Sequence, residues 1–161
     1  MIVFLFRRLV LLSALLLLPG GIAAFAATTD TERLVIETAS GERHAFAVEV
    51  ARTPKQRETG LMYRRSMAPD HGMLFDFGRT MPVAMWMKNT YLPLDMLFID
   101  ETGRIVRIAR RTVPFSRTII YSGAPVLAVL EINGGISDRL GISEGDRVLH
   151  PLFTRSPEAG R

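Results

Sequence analysis

The sequence predicts a mainly-β α+β fold: one compact domain whose antiparallel sheet curls toward a barrel, with one longer helix and one short one. Three observations carry this expectation. Short apolar runs recur from residue 33 onward, each closed by a turn rich in Gly, Asn, Asp or Ser. Only one segment opens with a full set of helix-start signals. No repeat and no linker divides the chain, and many short strands with few helices suit a sheet that closes on itself.

Arg33 to Thr38 and His44 to Ala51 read as strands joined by the turn Ala39-Ser40-Gly41-Glu42. In the second, Phe46, Val48 and Val50 alternate with Ala45, Ala47 and Glu49, the period-two mark of one buried face. Thr53-Pro54-Lys55-Gln56 starts a helix. Thr53 can cap it, Pro54 suits the first helical position, and Gln56 completes a capping box. The helix is expected to reach Met62 or Tyr63, with Gly60 marking a close packing approach. Gly72 to Phe77 and Val83 to Lys88 read as strands separated by a turn over 78–82. Leu94 to Asp100 and Arg104 to Ala109 read as a hairpin, and 110–124 as a long basic connection. Val126 to Ile132 is a strand, Gly135 to Leu140 a short helix, and Asp146 to His150 the last strand.

The N-terminus has a different logic. Arg7 and Arg8 precede the apolar run LVLLSALLLL, Pro19-Gly20-Gly21 breaks it, and Ala24-Phe25-Ala26 supplies a small-x-small site. That order predicts a signal peptide over 1–26, cleaved after Ala26, and a periplasmic or secreted domain. A flexible tail is expected at 27–32, the domain at 33–153 and a disordered C-terminal tail at 154–161. Removing residues 1–26 from 161 leaves 135, enough for a single core. It also removes Arg7 and Arg8, so 18 basic residues face 16 acidic ones and the net charge falls from +4 to +2. Those charges are interspersed, so nothing requires a nucleic-acid or anionic-membrane partner; no stable membrane insertion is expected after signal cleavage, and the domain is read as a monomer. With no Cys, stability must come from the core alone.

Residues 81–95, MPVAMWMKNTYLPLD, hold the densest set of candidates. In an extended chain Met85 and Met87 would share one face, and Trp86 and Lys88 the other. Met81, Met85 and Met87 resemble thioether clusters that hold copper(I), although methionine also fills irregular cores. Lys88-Asn89-Thr90 followed by Pro93 and Asp95 fits either a polar turn or a cleft walled by Trp86. Glu131, inside the apolar run VLAVLEI, needs a partner, for which Lys88 and Arg64 are the candidates. His44, His71 and His150 lack zinc-ligand spacing, and no motif calls for a cofactor.

These residues also carry a resemblance. Gly60-Leu61-Met62-Tyr63-Arg64, Gly72-Met73-Leu74-Phe75, Met85-Trp86-Met87-Lys88-Asn89-Thr90, Pro93-Leu94-Asp95, Phe98-Ile99-Asp100, Val129-Leu130-Glu131 and Gly145-Asp146 occur in that order. The block pattern, over roughly residues 34–152, resembles the prokaryotic family known as domain of unknown function 192. Met85 stands where that family often has an aromatic. The resemblance implies a compact, largely β domain, often exported, and implies no activity. It does raise the cleft above the bland turn.

Two functions follow from the residues. One is a non-enzymatic binding module for a small polar or peptide ligand. In it Trp86 stacks, Lys88 and Arg64 meet an anionic group, and Asn89, Asp95 and Glu131 complete the cleft. The alternative is a hydrolase or lyase of envelope material with Asp95 and Glu131 as acid and base. Copper(I) binding through the three methionines is a weaker third.

Overall fold

Residues 30–154 are described by the structure, a computed structural model. The expected signal peptide, residues 27–29 of the expected N-terminal tail and residues 155–161 lie outside them. The elements run β1 (Glu32–Glu37), β2 (Arg43–Ala51), α1 (Pro54–Thr59), β3 (His71–Met85), β4 (Leu94–Ile99), β5 (Ile105–Ala109), β6 (Ile120–Asn133), α2 (Ile136–Arg139) and β7 (Arg147–Leu149). A 3₁₀ turn over Pro151–Thr154 follows β7.

All seven strands join one sheet in the order β5-β4-β6-β3-β2-β1-β7, curled into a half-barrel. Pairing is antiparallel except between β2 and β3, where Ala47 faces His71 and Ala51 faces Phe75 in parallel register. A parallel pair needs a crossover rather than a hairpin, and the segment carrying α1 provides it. The two edges of the sheet meet. Arg104 bridges Arg147, and Ile105 N–H donates to the Asp146 carbonyl at 2.9 Å. Edge groups that would otherwise stay unpaired are satisfied there.

The curl divides the apolar residues in two. Leu34, Phe46, Leu74, Leu97, Ile108 and Leu130 belong to a cluster inside it that draws on the whole sheet. Met73, Phe75, Met96, Phe98 and Val129 lie on the other face of β3, β4 and β6, packed with Leu61 and Met87 from the loops. Strand β4 is therefore buried along its whole length, which is why LDMLFI reads as a continuous apolar run.

Several boundaries differ from those expected. The strands expected at 72–77 and 83–88 are one strand, with irregular register at Asp76/Met81 and Pro82/Ala84. That strand ends at Met85, so Trp86, Met87 and Lys88 lie beyond it. The end of the expected basic connection belongs to β6, where Tyr121 faces Ala84 and Ile120 faces Met85. Gly78, Pro82, Gly123 and Pro125 hide this extension, because such residues interrupt an apolar period. The capping box of Thr53 and Gln56 forms, yet α1 stops at Thr59 because Gly60 turns to φ 48°. Gly60 does make the expected close approach, since a Cβ there would stand 3.0 Å from the Phe75 ring.

Gly72 is the tightest test of this packing. A Cβ at that position would meet the Glu131 carbonyl oxygen at 2.6 Å, between paired strands with no room to part. Gly72→Ala is expected to cost about 1–3 kcal/mol through forced overpacking. A urea denaturation midpoint equal to that of the wild type would refute the close approach.

Candidate functional site

Asp95 and Glu131 sit one register step apart on neighbouring strands, and that step separates them. On the β4–β6 ladder Asp95 faces Ile132, while Glu131 faces Met96. Successive residues point to opposite faces, so the two carboxyls lie on opposite sides of the sheet. They cannot flank one substrate, and the expected acid/base pair is corrected on that ground.

Asp95 is fully buried (0% exposed) and saturated with donors. It accepts from Arg111 N–H at 2.8 Å, Gly135 N–H at 3.0 Å, Ser137 N–H at 3.0 Å and the Ser137 hydroxyl at 2.5 Å. Burial pushes its pKa up, but the Ser137 hydroxyl and the backbone N–H groups outweigh this and hold it below the usual value. Asp95 is thus an ionised structural anchor away from any cleft, contrary to the role expected from sequence.

Glu131 is the reverse case. It is 4% exposed, and no protein group among the described residues hydrogen-bonds or ion-pairs with it. Neither Lys88 nor Arg64 is its partner. Burial alone pushes its carboxyl up to about 8, so it is mostly protonated at neutral pH. Glu131 lines a cavity of about 230 Å³ whose walls include Leu61, Met62, Phe75, Met85 and Trp86. Arg57 and Glu58 of α1 stand at the same cavity, and Ala84 lines it from β3. A buried, protonated carboxyl in an apolar cavity can donate one hydrogen bond and accept another.

The other expected site residues are dispersed. Arg64 clamps both carboxylate oxygens of Glu49, a bond that raises the Arg64 pKa, and it lines a separate hollow beyond Gly60. Trp86, 44% exposed, does reach the Glu131 cavity. The Lys88 ammonium lies 5.3 Å from the centre of the Trp86 ring, as a cation over an aromatic face. Asn89 adopts φ 56°, in the left-handed region, and its amide donates to the Tyr63 hydroxyl at 2.9 Å. Met87 is buried and its sulfur accepts from the Thr112 hydroxyl at 3.1 Å. Met81 and Met85 are only half-buried, because the chain leaves the strand at Met85 and the expected alternation ends there. Met87 is therefore held in the core. Among the described residues no group of three or more His, Asp or Glu could hold a metal ion.

Leu61 and Met62, quoted only for the family resemblance, were not among the candidate site residues, since both fell within the helix expected to run past Gly60. That early stop at Gly60 places them over the cavity.

The two carboxyls should leave opposite marks on stability. Asp95 has a depressed folded pKa, so its contribution is present above the ordinary value of 3.8 and is lost as pH falls through the folded one. Glu131 has a raised folded pKa. Between its ordinary value of 4.5 and about 8 the unfolded carboxyl ionises while the folded one keeps its proton. Stability should therefore fall with rising pH across that window, by about 1.4 kcal/mol per pH unit from this group at most. Glu131→Gln is expected to flatten the slope and raise the melting temperature at pH 8, whereas Asp95→Asn should cost about 3 kcal/mol or more at pH 7. Urea denaturation from pH 4 to 9 measures both, and an unchanged slope in Glu131→Gln would contradict the buried, unpaired carboxyl.

Known proteins add a family and a fold. The family model of DUF192, described as "Uncharacterized ACR", matches residues 35–150. No curated protein matches the chain. A crystal structure from Sinorhizobium meliloti 1021, described as a candidate transcription regulator, is 61% identical. It superposes with a TM-score of 0.73 over 74% of this chain and 92% of that one. A protein of unknown function from Novosphingobium aromaticivorans DSM 12444 is 39% identical, with a TM-score of 0.72 over 74% of this chain and 85% of that one. The chain belongs to the DUF192 family.

Proposed function

We propose that this domain is a non-enzymatic binding module of the cell envelope whose site is the cavity beneath Trp86. The single observation that carries the reading is Glu131, a buried carboxyl with no protein partner that lines an apolar cavity. Burying such a group without a partner costs stability, which a ligand's hydrogen bond would offset. At about 230 Å³ the cavity is below the range of about 300–1,000 Å³ typical of small-molecule pockets. It suits one side chain of a peptide, or a small molecule of that size with a polar donor and an apolar body. Leu61, Met62 and Met85 contact the body, Trp86 stacks against it, and Glu131 meets the donor. A primary amine, already an ammonium at these pH values, would displace the Glu131 proton to solvent, so its affinity would rise with pH toward 8.

Trp86 is the only tryptophan and reports directly on this site. Titration with a panel of amino-acid amides, dipeptides and primary amines should change its emission for some members. Glu131→Gln should weaken that response at least tenfold, and Ala84→Phe, which fills the mouth from an exposed strand position, should abolish it. A panel that leaves Trp86 emission unchanged at millimolar concentration, or binding that survives both substitutions, would refute the reading.

Export belongs to the same proposal and rests on residues 1–26 alone. N-terminal sequencing of protein from the periplasm or medium should begin at Ala27. Recovery only from the cytoplasm, starting at Met1, would remove the envelope from the proposal.

A further inference from the structure

Every large apolar side chain exposed among the described residues lies in one of three segments. Tyr63 is in the first, Trp86 and Tyr91 in the second, and Val113, Phe115, Ile119 and Tyr121 in the third. Hydrogen bonds tie these segments together at one end of the sheet. Tyr63 N–H donates to the Asn89 carbonyl at 2.9 Å, Met87 N–H to Ser116 at 3.0 Å, and Phe115 N–H to Thr90 at 3.2 Å. The rings of Tyr91 and Phe115 meet edge to face with centroids 4.9 Å apart.

The same segments, 61–68, 84–93 and 110–125, contain Arg64, Arg65, Lys88, Arg110, Arg111 and Arg117 and no Asp or Glu at all. Arg64 pairs with Glu49, and Arg110 and Arg111 pair with Asp138. Arg65, Lys88 and Arg117 have no carboxylate partner among the described residues. Arg65 and Lys88 instead lie over the rings of Tyr91 and Trp86, at 5.0 and 5.3 Å from their centres. The backbone there is held under strain: Tyr63, Asn89, Arg111 and Phe115 are the non-glycine residues at positive φ among those described.

We infer that this basic aromatic end is a docking surface for an anionic lipid bilayer, distinct from the cavity chemistry of Glu131. Charge complementarity names the partner: Arg65, Lys88 and Arg117, cations without a carboxylate partner among the described residues, on segments that carry no acid, attract negatively charged headgroups. The aromatic residues fit the same partner. Tyr and Trp sit at the headgroup level of membranes, apolar body inward and polar tip in the wet layer. The exposed rings are spread over three separate segments, and only Trp86 among them lines the side-chain-sized cavity, a dispersed arrangement that suits a broad surface such as a bilayer. Among the described residues no helix is long and apolar enough to cross a membrane, so docking here is peripheral.

Co-sedimentation of the full chain with vesicles of phosphatidylglycerol or of phosphatidylcholine tests this. The apolar N-terminal stretch is present in every variant, so differences between variants and between lipids report on the docking surface. Binding is expected to be at least tenfold tighter to the anionic vesicles and to weaken with salt. The double variant Arg65→Glu/Arg117→Glu should abolish that preference, while Arg33→Glu on the exposed side of β1 should leave it. Neither Arg65 nor Arg117 has an ion-pair partner to lose, so the double variant should stay folded, with at most the small loss of the Arg65 contact over the Tyr91 ring. Phe115→Gly, which suits the left-handed backbone at φ 61°, is a second variant expected to weaken binding. Trp86 is untouched in all of these, so a ligand response in the cavity would persist whichever way the lipid test falls. Equal affinity for the two lipids, a preference that survives the double variant, or binding to heparin or duplex DNA without any vesicle preference would overturn the inference.

Discussion

The carboxylate of Asp95 is the tie on which the aromatic end of this molecule depends. It projects from β4 and gathers N–H groups from Arg111, Gly135 and Ser137, together with the Ser137 hydroxyl. These donors belong to two separate returns of the chain, the basic connection after β5 and the turn into α2. A buried ion is costly unless its hydrogen bonds are made in full, and here they are. The connection after β5 then continues in fixed register: Thr112 N–H reaches the Leu94 carbonyl at 2.8 Å, and the Ser116 carbonyl receives Met87 N–H at 3.0 Å. Trp86 and the aromatic loops stand where they do because this connection is anchored.

Glu131 shows how much the two sheet faces differ. Its strand neighbour faces the same ladder as Asp95, yet its own side chain enters a cluster of Met73, Met96 and Phe98 where no donor waits. The same chemical group is ionised on one face and protonated on the other. The difference comes from what each face supplies: backbone N–H groups freed at the start of a short helix on one, thioethers and rings on the other. A fold built for stability alone would place Leu or Met at 131. The retained carboxyl sits instead where a cavity opens beneath Trp86.

The aromatic end extends this contrast to the surface. Exposed large apolar side chains are concentrated on three segments whose backbone is partly left-handed and whose own residues include no acid. A surface that is both strained and apolar is a cost to the isolated domain. Trp86 belongs both to this end and to the lining of the Glu131 cavity.

Much of the fold was legible in the chain. The alternation of Phe46, Val48 and Val50, the capping box of Thr53 and Gln56, the LDMLFI run and the approach at Gly60 all rest on local periodicity or local hydrogen bonds. Glu131 was also marked, because a carboxyl in an apolar strand is anomalous wherever it ends up. What sequence alone did not determine was which residues meet. Asp95 and Glu131 each looked like a site residue, and only the register of β4 against β6 sends them to opposite faces. Arg64 looked free until the fold brought Glu49 to it from β2. Three short segments that each lack an acid form one surface only when the fold packs them together. Periodicity is written in neighbouring residues, but pairing between distant ones is decided by strand register and loop anchoring, which no short stretch of sequence contains.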